Sequence, residues 1–354
     1  MTPSRRSFLL AGTSALALAP LLAACGSDSD STAPTGGSGS GGASADPDAF
    51  PVTITHKYGE TTIESAPQRV VCVGLTDQDA LLALGIVPVG VTYWFGDEEE
   101  QGIYPWAQDA LGDAELPELL RDTNGVQVEK IAALQPDLIL AQYTGLTEED
   151  YNTLSQLPGA KVVAQSGDFP DYGMPWQDSS RVIGQAVGRS DDMDAIITDV
   201  EGQIAQVKTD NPGFAGQTAA IVSSYEGLFL YGTSDPRVVL LTEFGFDVAP
   251  LVSESDSPEF GLSVSAERTT DLADVGVTVW YDREADQQVS SLFEQTAAFD
   301  EGRYLDFTDD DGDYYTALGF VTPLSIPYVL ERYVPQLAAA ADGDVATEPP
   351  PVES

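Results

Sequence analysis

The feature that most constrains the fold is a long amphipathic run in the middle of the chain, WQDSSRVIGQAVGRSDDMDAIITDVEGQIAQVKTD, residues 176 to 210. Apolar side chains recur at 182, 183, 186, 187, 193, 196, 197, 200, 204 and 207, the threes and fours of a helix face, with one gap at GRSDD. As a single helix of about 30 residues it would measure roughly 45 Å, longer than a compact lobe needs for its own core. Before it, strand-like runs occur at PVTITHKY, RVVCVG, PVGVTYW, DLILAQY and KVVAQS, separated by helical stretches such as TDQDALLALG and VEKIAALQP. Most of these runs are continuously apolar, as for strands covered by helices on both faces. After it, NPG stops the helix and the alternation resumes with TAAIVSSYEGLFLYG, VVLLTEFGF, VGVTVWYD and a closing helix at PLSIPYVLERYVPQLAAAA. The pattern predicts an α/β fold: two Rossmann-like lobes, residues 50–174 and 211–341, joined by one long rigid helix over 175–210.

Ahead of the first lobe stand Arg5 and Arg6, an apolar stretch from Phe8, and small residues leading to Cys25, the plan of an export signal over residues 1–24. At roughly 17 residues, the apolar stretch is short for a permanent membrane span. LAAC resembles a bacterial lipobox, in which the cysteine takes a diacylglycerol and becomes the new N-terminus, and SRRSFLL resembles a twin-arginine signal. Cys25 is the expected lipidation site, with an ordinary secretory signal and an incidental cysteine as the alternative. Residues 25–49 are almost wholly Gly, Ser, Ala, Asp and Pro and read as a flexible linker with a reach of about 25 to 30 Å. Residues 342–354 read as a disordered tail. The body is expected on the extracytoplasmic face of the cell membrane, lipid-anchored.

Acidic residues number 57 against 15 basic ones; without the two arginines of the signal the balance is 13 against 57, a net charge of about −44. Such a body excludes nucleic acid and anionic headgroups as partners, leaving the anchor as its one membrane contact. Cys72 is the only cysteine besides Cys25, so no internal disulfide is available to the fold.

The stretches HKYGETTIESAPQRVVCVGLTDQDALLALGIVPVGVT, VEKIAALQPDLILAQY, WQDSSRVIGQAVG and TPLSIPYVLERYVPQL, in this order, resemble those of substrate-binding lipoproteins of bacterial iron-siderophore ABC importers. The likeness runs from Val52 to Ala341 and implies the helical-backbone class of periplasmic binding proteins. It further implies a ligand clamped between the lobes, delivery to an ABC permease with its ATPase subunit, and no chemical reaction. The expected cargo is a ferric siderophore, with haem and cobalamin as alternatives carried by the same class. In such proteins each lobe presents a rim glutamate to basic residues of the permease. The matching positions are Glu129 in VEKIAAL and Glu267 in VSAERTTDL, each also at a helix start, where a carboxylate is favoured by the dipole alone. The body is expected to be monomeric.

In open α/β lobes, ligands sit beyond the C-terminal ends of the strands. Those ends carry Tyr93 and Trp94 after PVGV, Tyr143 after DLILA, Tyr172 and Trp176 in DFPDYGMPW, Tyr225 and Tyr231 around SSYEGLFLYG, and Trp280 with Tyr281 after VGVTV. Aromatic walls suit a bulky chelate with organic arms, though each ring can equally cap the core of its own lobe. Arg237 in TSDPRVVLL and Arg283 in WYDRE follow strand exits and can meet hydroxamate or carboxylate oxygens; a surface arginine among acids is the alternative. Arg303 is a third candidate. Arg69 reads as structural, Arg181 and Arg189 as part of the strut, and Arg121 and Arg332 as helical and surface-like.

The single histidine, His56, lies in the first hairpin, so capture of zinc or manganese by a histidine cluster is excluded by counting, and an axial ligand for haem is scarce. Placing Gly312 of DFTDDDGDYY at position six of a calcium loop puts Phe307 at position one and Leu318 at position twelve, which is no EF-hand. No metal site of the protein's own and no cofactor are expected, the iron being held by the siderophore. Neither a GxSxG elbow nor a Walker motif is present. An exported hydrolase with paired carboxylates is the rival class; it would need a pair within roughly 5 to 10 Å in a cleft, one with a raised pKa. The net charge favours neutral or weakly anionic chelates such as hydroxamates over tris-catecholates.

Overall fold

The computed structural model describes residues 45–93, 102–121, 125–224, 227–253, 261–307, 313–344 and 347. The first lobe opens with an antiparallel hairpin, β1 (Val52–His56) and β2 (Gly59–Ile63), pairing Val52 with Ile63. Ile54, His56, Thr61 and Ile63 turn inward between more exposed neighbours, the alternation of a sheet with one wet face. Five parallel strands follow, β3 (Val70–Cys72), β4 (Gly90–Tyr93), β5 (Glu118–Arg121), β6 (Leu138–Ala141) and β7 (Lys161–Ala164), ordered β5-β4-β3-β6-β7. The chain steps outward from β3 through β4 to β5, then returns to the other side of β3 for β6 and β7. The topological switch point therefore lies between β3 and β6.

The second lobe contains β8 (Thr218–Ser223), β9 (Leu228–Tyr231), β10 (Asp247–Val248), β11 (Gly261–Val264), β12 (Val277–Tyr281) and β13 (Tyr304–Phe307). Their order is β11-β9-β8-β12-β13, with β10 also on β8. Strands β10 and β12 join β8 in parallel and β13 joins β12 in the same sense, while β8, β9 and β11 pair antiparallel in succession. Here the switch point lies between β8 and β12. The run VVLLTEFGF is helical, Pro236–Phe244, capped by the Asp235 carboxylate at its start and closed by Gly245 at φ 111°.

The expected single helix over 175–210 is two helices. Trp176–Ala186 packs within the first lobe on the helix Asp77–Ala83 and on β1, whereas Ser190–Asp210 alone packs on Pro236–Phe244 and on the closing helix Ser325–Ala341. The break falls in the GRSDD gap. Gly188 takes φ 68° and lies so close to the Phe50 ring that a Cβ would sit 2.6 Å from it. Met193 folds back against Gly184, where a Cβ would meet it at 2.7 Å. The bridging helix has 21 residues and buries Met193, Ile197, Val200, Ile204 and Val207, over a length of about 31 Å. The linker also ends earlier than expected: Pro47–Ala49 forms a 3-10 turn capped by Asp46, whose N–H donates to the Gly188 carbonyl at 3.0 Å.

One apolar core runs through both lobes, from Leu81 and Tyr104 to Phe320 and Tyr333, and two smaller cores cover the remaining sheet faces. Among the described residues no helix is long and apolar enough to cross a membrane, and no group of three His, Cys, Asp or Glu is placed to hold a metal ion. The expected export signal, Cys25, residues 26–44, the acidic run 308–312 and most of the tail beyond 344 lie outside the described residues.

Candidate ligand cleft

Both switch points carry a tyrosine at a strand exit, Tyr143 just beyond β6 and Tyr281 at the end of β12. Tyr143 is fixed from behind. The Asp77 carboxylate accepts the Gln142 N–H (3.0 Å) and the Tyr143 N–H (3.3 Å), and the Gly74 N–H beyond β3 as well. A Cβ on Gly74 would lie 2.3 Å from Asp77, so glycine is required for this close approach. Burial pushes Asp77 up to about 6, with the three backbone donors opposing it. Asp79, two residues further along the same helix, accepts from Trp106 Nε1 (2.8 Å) and from Thr322 Oγ1 (2.5 Å), and burial raises it to about 6 against these two donors. Since Thr322 belongs to the second lobe, this carboxylate links the lobes. Around it Tyr104 stacks on Trp106 at 4.9 Å, with Phe320 edge-on to both at 4.6 and 5.1 Å.

In the second lobe Asp235 starts the helix Pro236–Phe244 by accepting the Arg237 N–H (2.9 Å), and its two oxygens then take Arg237 Nε (2.9 Å) and Nη2 (2.8 Å). The pair is buried, with side-chain exposures of 11% for Arg237 and 0% for Asp235. The guanidinium lies 4.0 Å from the Tyr231 ring centre and 5.2 Å from that of Tyr281. Tyr281 in turn packs on Tyr231 (5.9 Å) and Tyr315 (5.0 Å). Its hydroxyl, pushed up by burial, has Arg237 as its electrostatic neighbour, though no well-aligned hydrogen bond joins them. Tyr143 feels the same group across the lobes: burial raises its hydroxyl most, Asp235 next, and Arg237 opposes them. Tyr172 meets Tyr143 edge-on at 5.5 Å.

The fold thus assembles Tyr143 and Tyr172 from one lobe with Tyr231, Arg237 and Tyr281 from the other. Tyr93 stands at the rim of the first lobe, opposite Arg121 in register and 5.8 Å from its guanidinium. Arg121 is on a strand, not a helix as its context suggested. Next to it a cavity of about 110 Å³ is lined by Thr92, Arg121, Gln127, Thr144 and Tyr172. Trp280 stands apart: strand alternation turns it to the opposite sheet face from Tyr281, fully buried and edge-on to Phe293 at 4.9 Å. Trp176 starts its helix inside the main core. Arg283 is also apart, held by Asp306 (2.7 Å), Ser290 (2.7 Å) and Glu294 (3.4 Å). Arg303 serves the loop carbonyls of Ala273 and Val275. Trp94 and Tyr225 lie outside the described residues. Sequence reasoning set Arg121 aside as surface-like and passed over Asp235, Tyr315 and the Asp77–Asp79 pair. Only Asp235 had a signal, the cap-then-proline order of SDPR.

Two α/β lobes bridged by one helix, with both switch points turned to a shared tyrosine cluster, define a two-lobed ligand-binding protein. The sequence profile of the periplasmic binding protein family matches residues 70–298, and the chain belongs to that family. A periplasmic solute binding protein from Mycobacterium smegmatis is 36% identical and superposes with a TM-score of 0.70, covering 82% of this chain and 98% of that one. The iron uptake substrate-binding protein PiaA of Streptococcus pneumoniae, in complex with ferrichrome, is 27% identical with a TM-score of 0.70, covering 82% of this chain and 99% of that one. The Bacillus subtilis lipoprotein YhfQ is 28% identical over 62% of this chain, and the match spans 65% of YhfQ. The role of the chain is substrate binding in the manner of this family.

Proposed function

We propose that the protein is a lipid-anchored extracytoplasmic receptor that holds a ferric siderophore between its lobes and delivers it, as a monomer, to an ABC permease and its ATPase subunit. The observation that carries this reading is the meeting of Tyr143 and Tyr172 with Tyr231, Arg237 and Tyr281 where the two switch points face each other. A ferric chelate offers apolar arms to the rings and oxygen acceptors to hydroxyls and guanidinium. The likeness to PiaA, solved with ferrichrome, supports the same class of cargo. Haem is disfavoured because His56 is buried in the first hairpin and bonded to Thr61 at 3.0 Å.

No reaction is assigned to the protein. Asp77 and Asp79 have the raised pKa values of an acid–base pair, but at 2% and 0% exposure Asp77 holds the backbone at Tyr143 and Asp79 holds Trp106 and Thr322, so neither faces a substrate. For delivery, Glu129 and Glu267 are exposed in the first turns of Val128–Ala133 and Ala266–Asp274, one on each lobe, where basic residues of a permease can reach them. Titrating the purified mature protein with a panel of ferric chelates, read by tryptophan fluorescence, tests the reading. Saturable quenching without product supports it, and a flat response to every chelate sinks it.

A further inference from the structure

Arg237 brings a full positive charge to the tyrosine cluster, and it is paired there with a carboxylate. We infer that Asp235 sets the charge of the cargo: by holding one edge of the Arg237 guanidinium in a bidentate pair it neutralises the floor of the cleft and selects a ferric chelate without net negative charge, of the trihydroxamate kind. The inference rests on the reading that the cleft takes a ferric chelate. Arginine ordinarily recognises anions through its planar fork of donors. Here Nε and Nη2 already donate to Asp235 at 2.9 and 2.8 Å, and Asp235 cannot swing away without giving up the Arg237 N–H that starts the helix. An anionic ligand would have to displace a buried, bidentate partner, while an uncharged one can lie against the ring faces with that pair intact.

The rest of the neighbourhood points the same way. Asp282, at the exit of β12, accepts from the Tyr315 hydroxyl at 3.4 Å. Asp150 lines the first-lobe cavity that holds Arg121. Three hydroxamates cancel the charge of Fe³⁺, whereas three catecholates leave a multiply charged anion, which a chain with 57 acidic against 15 basic residues repels.

The test uses the mature protein and three probes: ferrichrome and ferrioxamine B as trihydroxamates, and ferric dicitrate as an anion. Asp235→Asn keeps a capping oxygen and the side-chain shape while removing the negative charge that offsets Arg237. The wild type should bind the better trihydroxamate at least about tenfold tighter than ferric dicitrate. In Asp235→Asn that ratio should shift toward ferric dicitrate by about tenfold or more, and the shift should shrink at high salt, as expected of a charge effect. If Asp235 only caps a helix, the variant changes both affinities by one factor, and the inference is overturned. A wild type that prefers ferric dicitrate overturns it without any variant. Should the asparagine variant fail to fold, Asp235→Ser, whose hydroxyl also caps, answers with the same ratio. A wild type that binds none of the three, nor any other ferric chelate, refutes the receptor reading itself, a result distinct from a wrong charge preference.

Discussion

Asp79 offers the sharpest test of how the lobes are held. Its carboxylate is raised from 3.8 to about 6 by burial, even while Trp106 and Thr322 donate to it. A carboxyl whose folded pKa exceeds its unfolded one favours folding in its protonated form. That contribution is fully present below the unfolded value near 4 and is lost as pH rises through the folded value near 6. A shift of about two units corresponds to roughly 3 kcal/mol in full, about half of it falling between about pH 5 and pH 7.5. Asp79→Asn keeps one oxygen for Trp106 and Thr322 and places an NH2 where Oδ1 has no partner, at a cost of about 1 to 3 kcal/mol that does not vary with pH. The absolute stability of the variant is thus a near balance, but its pH slope is not. Urea unfolding of both proteins across this range should show the difference moving in favour of the asparagine variant by about 1.5 kcal/mol as pH rises. A difference that stays flat, or moves the other way, would refute the assignment of a buried, ionised lobe-bridging carboxylate.

Gly188→Ala should cost about 2 kcal/mol or more, seen as a lower Tm, because it forces alanine to positive φ against the Phe50 ring; an unchanged Tm would contradict the described break between the two helices. Cys25→Ala should release the mature body from membranes, and a variant that still pellets after a high-salt wash would remove the case for a lipid anchor. Reversing Glu129 and Glu267 together to arginine should abolish uptake of a radiolabelled ferric chelate while leaving its binding in vitro at wild-type strength. Normal uptake by that double variant, at normal abundance, would exclude both glutamates from docking.

The central strands were legible because burial on both faces leaves an unbroken apolar run, as in Val70–Cys72 and Leu138–Ala141. The strands passed over, Glu118–Arg121, Gly261–Val264 and Tyr304–Phe307, all lie at sheet edges, where one side faces water and the pattern dilutes. That same two-faced burial hid which neighbour would reach the cleft: Trp280 and Tyr281 are equally apolar in sequence, and only the strand parity separates them. The strut was recognised by its period and misjudged in length, since the gap at GRSDD conceals a left-handed glycine that a helical period cannot reveal. Asp77 and Asp79 were lost among 57 acids, most of them solvated; burial, which no local pattern reports, is what singles them out.

If cargo is gripped by tyrosines from both lobes at once, each lobe's share can be read separately. The most direct measurement is the Kd of a ferric trihydroxamate for the wild type, Tyr172→Ala and Tyr231→Ala under one condition, with the Tm of each recorded alongside. The expected result is saturable binding by the wild type and a loss of about tenfold or more in each variant, one from each lobe, beyond any change in Tm. Wild-type affinity in both variants would contradict a ligand held between the two lobes.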